Sequence, residues 1–143
     1  MRRALQRAVE NTIAGKILRG EIPCHKVYED ADTLAFMDIM PQAEGHTLIV
    51  PKAAGEDIFT TPPESVAAAV RTAPKVARAI KKAFSPPGVM VAQLNGPAAG
   101  QSVFHLHFHV IPRYSGKDLG IHAAEPVDSA TLAAHAARIR AAL

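Results

Sequence analysis

The 143-residue chain has one cysteine, no tryptophan and 5% aromatic residues. A lone Cys24 excludes an internal disulfide framework and fits a reducing, cytoplasmic location. No apolar run approaches a membrane span. The opening stretch MRRALQRAVENTIAGK is charged throughout and lacks the uninterrupted apolar core of a secretory signal. Charge of one sign is scarce too. Net charge is +3, and Arg2-Arg3 and Lys81-Lys82 are only pairs. A nucleic-acid footprint needs a denser basic patch, whereas mild basicity fits a small anionic ligand. What is present is apolar content of 48% against 20% charged, enough for one globular domain with a real core.

Punctuation along the chain separates short strands from two or three helices. Leu5, Val9, Ile13 and Ile17 recur every four residues, an amphipathic helix ending near Gly20. Gly15 falls inside it and allows a start near Thr12. Strands are predicted over 26–29, 34–38, 46–50, 89–94 and 103–111. Thr61-Pro62-Pro63-Glu64 reads as a helix start, with Thr61 as N-cap and Pro62 in first position. Pro74 should kink that helix before Ser85-Pro86-Pro87-Gly88 stops it. Asp128 is predicted to cap a last helix whose inner face holds Leu132, Ile139 and Leu143. Strands in runs beside helices argue an antiparallel α+β domain.

The densest chemistry is His105-Leu106-His107-Phe108-His109. On a strand, period two puts the three imidazoles on one face and Phe104, Leu106, Phe108 and Val110 on the other. Two uses are open. The imidazoles could bind zinc or nickel with a ligand borrowed from elsewhere. Alternatively, one could attack an electrophilic phosphorus while its neighbours hold oxygens. The preceding loop, Asn95-Gly96-Pro97-Ala98-Ala99-Gly100, lets backbone amides approach a ligand. Gln101 and Ser102 add an amide and a hydroxyl, and together they suit one phosphate.

The run Gly100-Gln101-Ser102-Val103-Phe104-His105-Leu106-His107-Phe108-His109-Val110-Ile111-Pro112-Arg113 resembles the signature of the histidine triad (HIT) family. Ala35 to Asp38-Ile39, Pro41-Gln42-Ala43 and Gly45 to Lys52 are similar to a second stretch of that family, and Lys16 to Asp30 to its amino-terminal part. The resemblance implies a five-stranded antiparallel sheet with helices, in one domain over residues 1–143. Residues 1–11 would be an N-terminal extension and 117–143 a variable C-terminal segment. It implies a homodimer and a purine nucleotide or its conjugate as ligand, with no cofactor. The reaction class implied is cleavage at the α-phosphate of nucleoside phosphoramidates, mixed anhydrides or dinucleoside polyphosphates.

By the same resemblance His107 is the nucleophile, forming a covalent nucleotidyl-imidazole. His109 and Ser102 contact the phosphate or leaving group, and His105 supports the His107 ring. Asp38 meets the ribose. Ile13, Ile17, Phe36 and Ile39 sandwich the base, and Asn95, Gly100 and Gln101 complete the phosphate loop. His46 is a candidate neighbour behind these groups. Some members hold structural zinc on two cysteines; Thr12 and Gly15 stand there, so no metal is expected. Leu94 stands where many relatives have asparagine, and His109 rather than glutamine argues against the uridylyltransferase branch. Cys24, His25, His122 and His135 match no family motif and are read as solvated. Two other functions stay open: a nucleotide-binding adapter or sensor without turnover, and a His-rich metal-binding protein.

Overall fold

The computed structural model describes residues 12–116 and 126–143. The Thr12 hydroxyl accepts the Gly15 N–H at 2.9 Å and starts α1 (Ile13–Leu18). Leu5 and Val9 lie outside the described residues. Three strands follow: β1 (Lys26–Glu29), β2 (Thr33–Met37) and β3 (Thr47–Pro51). The Asp30 carboxylate shapes the first turn by accepting from the Asp32 and Thr33 N–H groups, both at 2.9 Å. Helix α2 (Pro63–Phe84), β4 (Gly88–Gln93), a 3₁₀ turn (Pro97–Ala99), β5 (Phe108–Arg113) and α3 (Ser129–Ala142) complete the chain. The strands form one antiparallel sheet in the order β1-β2-β3-β5-β4. The expected α+β fold, a five-stranded antiparallel sheet with helices, is present.

Period two divides the sheet into two unlike faces. Ala35, Met37, Ile49 and Val110 pack with Ala69, Val76 and Ile80 of α2 and with Leu132, Ala136 and Ile139 of α3. The opposite face carries Leu34, Phe36, Leu48 and Val50 with Ala14, Ile17 and Leu18 of α1. β2 is therefore buried at every position, which is why its sequence shows no polar alternation. On the second face the short α1 leaves room that side chains do not fill.

Three sequence expectations differ in detail. The N-cap of α2 is Pro62 rather than Thr61, and no side chain caps it. Thr61 instead donates its hydroxyl to the Asp57 carbonyl at 2.6 Å. Pro74 lies inside α2 as expected, and the helix continues past it to Phe84. β5 begins at Phe108 rather than Val103. The preceding backbone is satisfied by a loop instead of a ladder. The Leu106 N–H donates to the Gly55 carbonyl at 2.8 Å, and the Gln101 amide reaches the Val103 carbonyl at 3.1 Å. At the far end, Asp128 caps α3 as expected, but Leu143 is 48% exposed and Ala136 takes its inner position. Among the described residues no helix is long and apolar enough to cross a membrane.

Candidate active site

A cavity of about 380 Å³ opens on the α1 face of the sheet, within the usual range for a small-molecule site. Its apolar end is built from Ile13 and Ile17 of α1, Ile22, Pro23 and Cys24, and Phe36 and Leu48 of the sheet. Its polar end holds Asp38, Gln42, His46, Ser102, His107 and His109, with Gly100 at the edge. Phe36 pairs with Leu48, and Leu48 with His109, so three neighbouring strands deliver these side chains to one face. Gly100, at φ +98°, closes the 3₁₀ turn in a left-handed conformation that only glycine adopts without strain.

Hydrogen bonds fix the tautomer of each ring. His107 sets Nδ1 2.7 Å from the His105 carbonyl, which can only accept. The His107 proton therefore sits on Nδ1, and the lone pair of Nε2 is left for a ligand. The Gln42 N–H donates to His46 Nδ1 at 3.0 Å. His46 must then carry its proton on Nε2, which lies 3.0 Å from His109 Nδ1. His109 accepts there and holds its own proton on Nε2. One backbone amide thus sets two rings in sequence. The His107 and His109 rings stand edge to face with centroids 4.8 Å apart.

Burial keeps all of these rings neutral. It pulls His46 down to about 3, with the neighbouring imidazoles adding to the effect, and His109 down to about 4. His107 and His105 are lowered by the same cause. Asp38 shifts the other way, its carboxyl raised by burial. Asp38 Oδ2 lies 3.6 Å from His46 Nε2, but a neutral imidazole makes no ion pair with it. Asp38 Oδ1 accepts the Met40 N–H at 2.9 Å, so Oδ2 is the oxygen available to a ligand.

Asp38, His46 and His109 also offer ligand atoms within 4.8 Å of one another, a set suited to a divalent transition ion. The Gln42 amide opposes that use. A neutral His46 could coordinate through Nε2 only with its proton on Nδ1, where it would meet the amide hydrogen head on.

The structure brings together His107, His109, Ser102, Gly100, Asp38, Ile39, Phe36, Ile13, Ile17 and His46 from the sequence expectation. It places three others away from the cavity. His105 is 1% exposed and its Nε2 donates to the Pro51 carbonyl at 2.8 Å. It supports His107 through its backbone carbonyl, not its ring, because the chain at His105 is not a strand. Asn95 turns to Gln93, exchanging amide hydrogen bonds of 2.7 and 2.9 Å, and receives the Ile58 N–H. Gln101 is buried and rivets the loop: it donates to the Glu56 carbonyl at 2.7 Å and accepts the Gly96 N–H at 2.7 Å.

Sequence reasoning missed Gln42, whose backbone amide has no side-chain signature. It also read Cys24 as solvated. Cys24 is half-buried in the cavity wall, with its thiol raised by burial. His25 meets the Ser129 hydroxyl at 3.2 Å, and His135 stands edge-on to Phe84. His122 lies outside the described residues.

The model of the HIT domain matches residues 19–116. A protein named Protein hit, from Bacillus subtilis, is 47% identical over 109 residues, covering 76% of this chain and 75% of the relative. Adenylylsulfatase HINT3 of Arabidopsis thaliana is 45% identical over 98 residues, 68% of this chain and 50% of that longer protein. Among solved structures, a Hit-like protein from Bartonella henselae superposes with a TM-score of 0.87 at 44% identity, covering 94% of this chain and 97% of that one. A zinc-bound histidine triad family protein from Mycobacterium smegmatis gives a TM-score of 0.81 at 33% identity, with 94% of each chain covered.

Proposed function

The chain belongs to the HIT domain family, and from that premise we propose that it is a nucleotide-binding hydrolase or transferase acting through a covalent nucleotidyl-histidine on His107. The observation that carries this reading is the 2.7 Å contact of His107 Nδ1 with the His105 carbonyl: a carbonyl only accepts, so the proton belongs on Nδ1 and Nε2 of this cavity-lining ring is left unprotonated. A neutral imidazole is a competent nucleophile, and splitting the displacement into two steps lowers each barrier. His107 Nε2 attacks the α-phosphorus, and the P–N bond forms as the bond to the leaving group breaks. The leaving group departs with the electron pair of its own bond to phosphorus and takes up a proton from solvent. Water then attacks phosphorus and gives up a proton to solvent, and the electrons of the P–N bond return to Nε2, releasing the nucleoside monophosphate and the neutral imidazole. In this reading His109, through Nε2–H, and Ser102, through its hydroxyl, donate to phosphoryl oxygens; both residues line the cavity. Asp38 Oδ2 accepts from ribose hydroxyls, and the apolar end takes a flat purine. The substrates suited to this arrangement are phosphoramidates, mixed anhydrides and dinucleoside polyphosphates, all of which present an α-phosphorus. The adenylylsulfatase name of the Arabidopsis relative supports a mixed anhydride of this kind.

The test is His107→Ala. Release of AMP from an adenosine phosphoramidate should fall by at least about 10³-fold, the scale seen when a nucleophile is removed. AMP binding should persist. Turnover at the wild-type level in that variant would end the covalent account. An absence of turnover in the wild type beside tight AMP binding would favour the adapter reading.

A homodimer belongs to the same proposal. β3 is interior to the sheet and cannot offer an edge. β4 is an edge strand with Val91 49% exposed, and Val70 of α2 is 47% exposed. Sedimentation at micromolar concentration should give twice the chain mass; the single-chain mass would remove the dimer.

A further inference from the structure

The turn at residues 38–40 forms the rim of the cavity beside Asp38. Ile39 and Met40 line the cavity, yet their side chains are 56% and 41% exposed, so packing alone does not fix them. Backbone tethers do. The Asp38 N–H donates to the His46 carbonyl at 3.1 Å, which ties the near end of the turn to the imidazole relay. The second tether comes from the far end of the chain. The Val127 N–H donates to the Ile39 carbonyl at 3.1 Å.

Val127 is tied to the core. Its side chain packs against the core on the α2 and α3 side. It directly precedes Asp128, the cap of α3, and α3 is anchored by buried Leu132, Ala136 and Ile139. A neighbouring pin strengthens the attachment. The Ser129 hydroxyl meets His25 Nε2 at 3.2 Å, and the His25 carbonyl accepts the N–H of Met37, itself a lining residue. The start of α3 therefore grips both the last residue of β2 and the rim that follows it. These grips cross from the core side of the sheet to the cavity.

We propose that the Val127 N–H is a positioning group for nucleotide binding: by holding the Ile39 carbonyl it sets Ile39 and Asp38 against the nucleoside half of the ligand. This rests on the nucleotide reading above. It makes the C-terminal segment, otherwise remote from the imidazoles, a part of the binding site. The effect falls on the nucleoside and not on the phosphorus, so it is read in KM and in AMP affinity rather than in kcat. It is the same for every leaving group.

The experiment compares Val127→Pro, which removes the N–H, with Val127→Ala, which trims packing but keeps it. AMP binding is measured by calorimetry and turnover with two adenosine phosphoramidates that differ in the amine. Relative to Val127→Ala, Val127→Pro should raise the AMP Kd and both KM values by about three- to tenfold, the size of one hydrogen bond to an open carbonyl, with kcat held. Equal Kd and KM in the two variants would overturn the proposal, as would a loss confined to kcat. If wild-type protein binds no AMP, the nucleotide reading itself fails, a result distinct from either. Should Val127→Pro not fold, amide hydrogen exchange in the wild type decides. AMP should slow exchange at Val127, and an unchanged rate there beside demonstrable AMP binding would sink the assignment.

Discussion

A single backbone amide, the Gln42 N–H, determines which nitrogen of His46 carries a proton, and through it which nitrogen of His109 does. Neither ring can switch without placing two hydrogens, or two lone pairs, face to face. His46→Asn should therefore free the His109 tautomer and lower kcat by about 10- to 100-fold, as losing the orienting partner of a working imidazole does elsewhere, with AMP affinity little changed. Nitrogen-15 chemical shifts of His109 would report the loss: Nε2–H in the wild type, a mixture of tautomers in the variant. At this scale the sequence was informative about chemistry and poor about orientation. The alternation around His107 and His109 put both in the cavity, because Phe108 and Val110 face the core as period two requires. The same rule failed at His105, where the chain is pinned by Pro51 and Gly55 and has no strand neighbour. Asn95 and Gln101 are polar residues beside a glycine loop, and only the folded loop shows that each spends its amide on neighbouring chain.

Among the elements, the junction between α2 and the loop before β3 holds the site in place. Gly45 has φ +86°, and a Cβ there would come within 2.8 Å of the Phe84 ring. Phe84 is in turn covered by the Arg138 guanidinium, 4.3 Å from the ring centroid, and Arg138 donates to the Ala83 carbonyl at 2.6 Å. Gly45→Ala should cost about 1–3 kcal/mol through strain and displaced packing, measured as a lower urea midpoint with unchanged slope. Because His46 is the next residue, kcat should fall as well, which a purely distant core change would not produce. Strand and helix positions were legible to within a residue or two wherever apolar periodicity met a glycine or proline stop, as at β1, β4 and the start of α3. The extent of β5 was not legible, because a strand ends where its partners end, and partners are long-range. The α2 cap was misread by one residue: the helix is entered through Pro62, and Thr61, one position too early, turns its hydroxyl to the Asp57 carbonyl.

For the whole molecule, the buried imidazoles link stability to pH. His46 and His109 titrate near 3 and 4 when folded, and His105 and His107 are also lowered, whereas unfolded histidine titrates near 6.5. Below about pH 6.5 the unfolded chain binds more protons, so stability is full at neutral pH and falls as the solution is acidified. Each such ring contributes a loss of up to about 1.4 kcal/mol per pH unit down to its folded value. Asp38, with its raised carboxyl, opposes this only as pH falls through its own value. Thermal melts should therefore show Tm dropping between pH 7 and pH 5, and a flat profile over that interval would contradict the neutral, buried state of the rings. The sheet adds a different consequence. One side of it is cemented to two helices, and the other is left partly open to solvent, with Ile13 and Ile39 each more than half exposed at the mouth. Evolution can thus redraw the mouth while the cemented side carries the fold. Such a wall is a natural scaffold on which selectivity for new ligands can drift at small cost to folding.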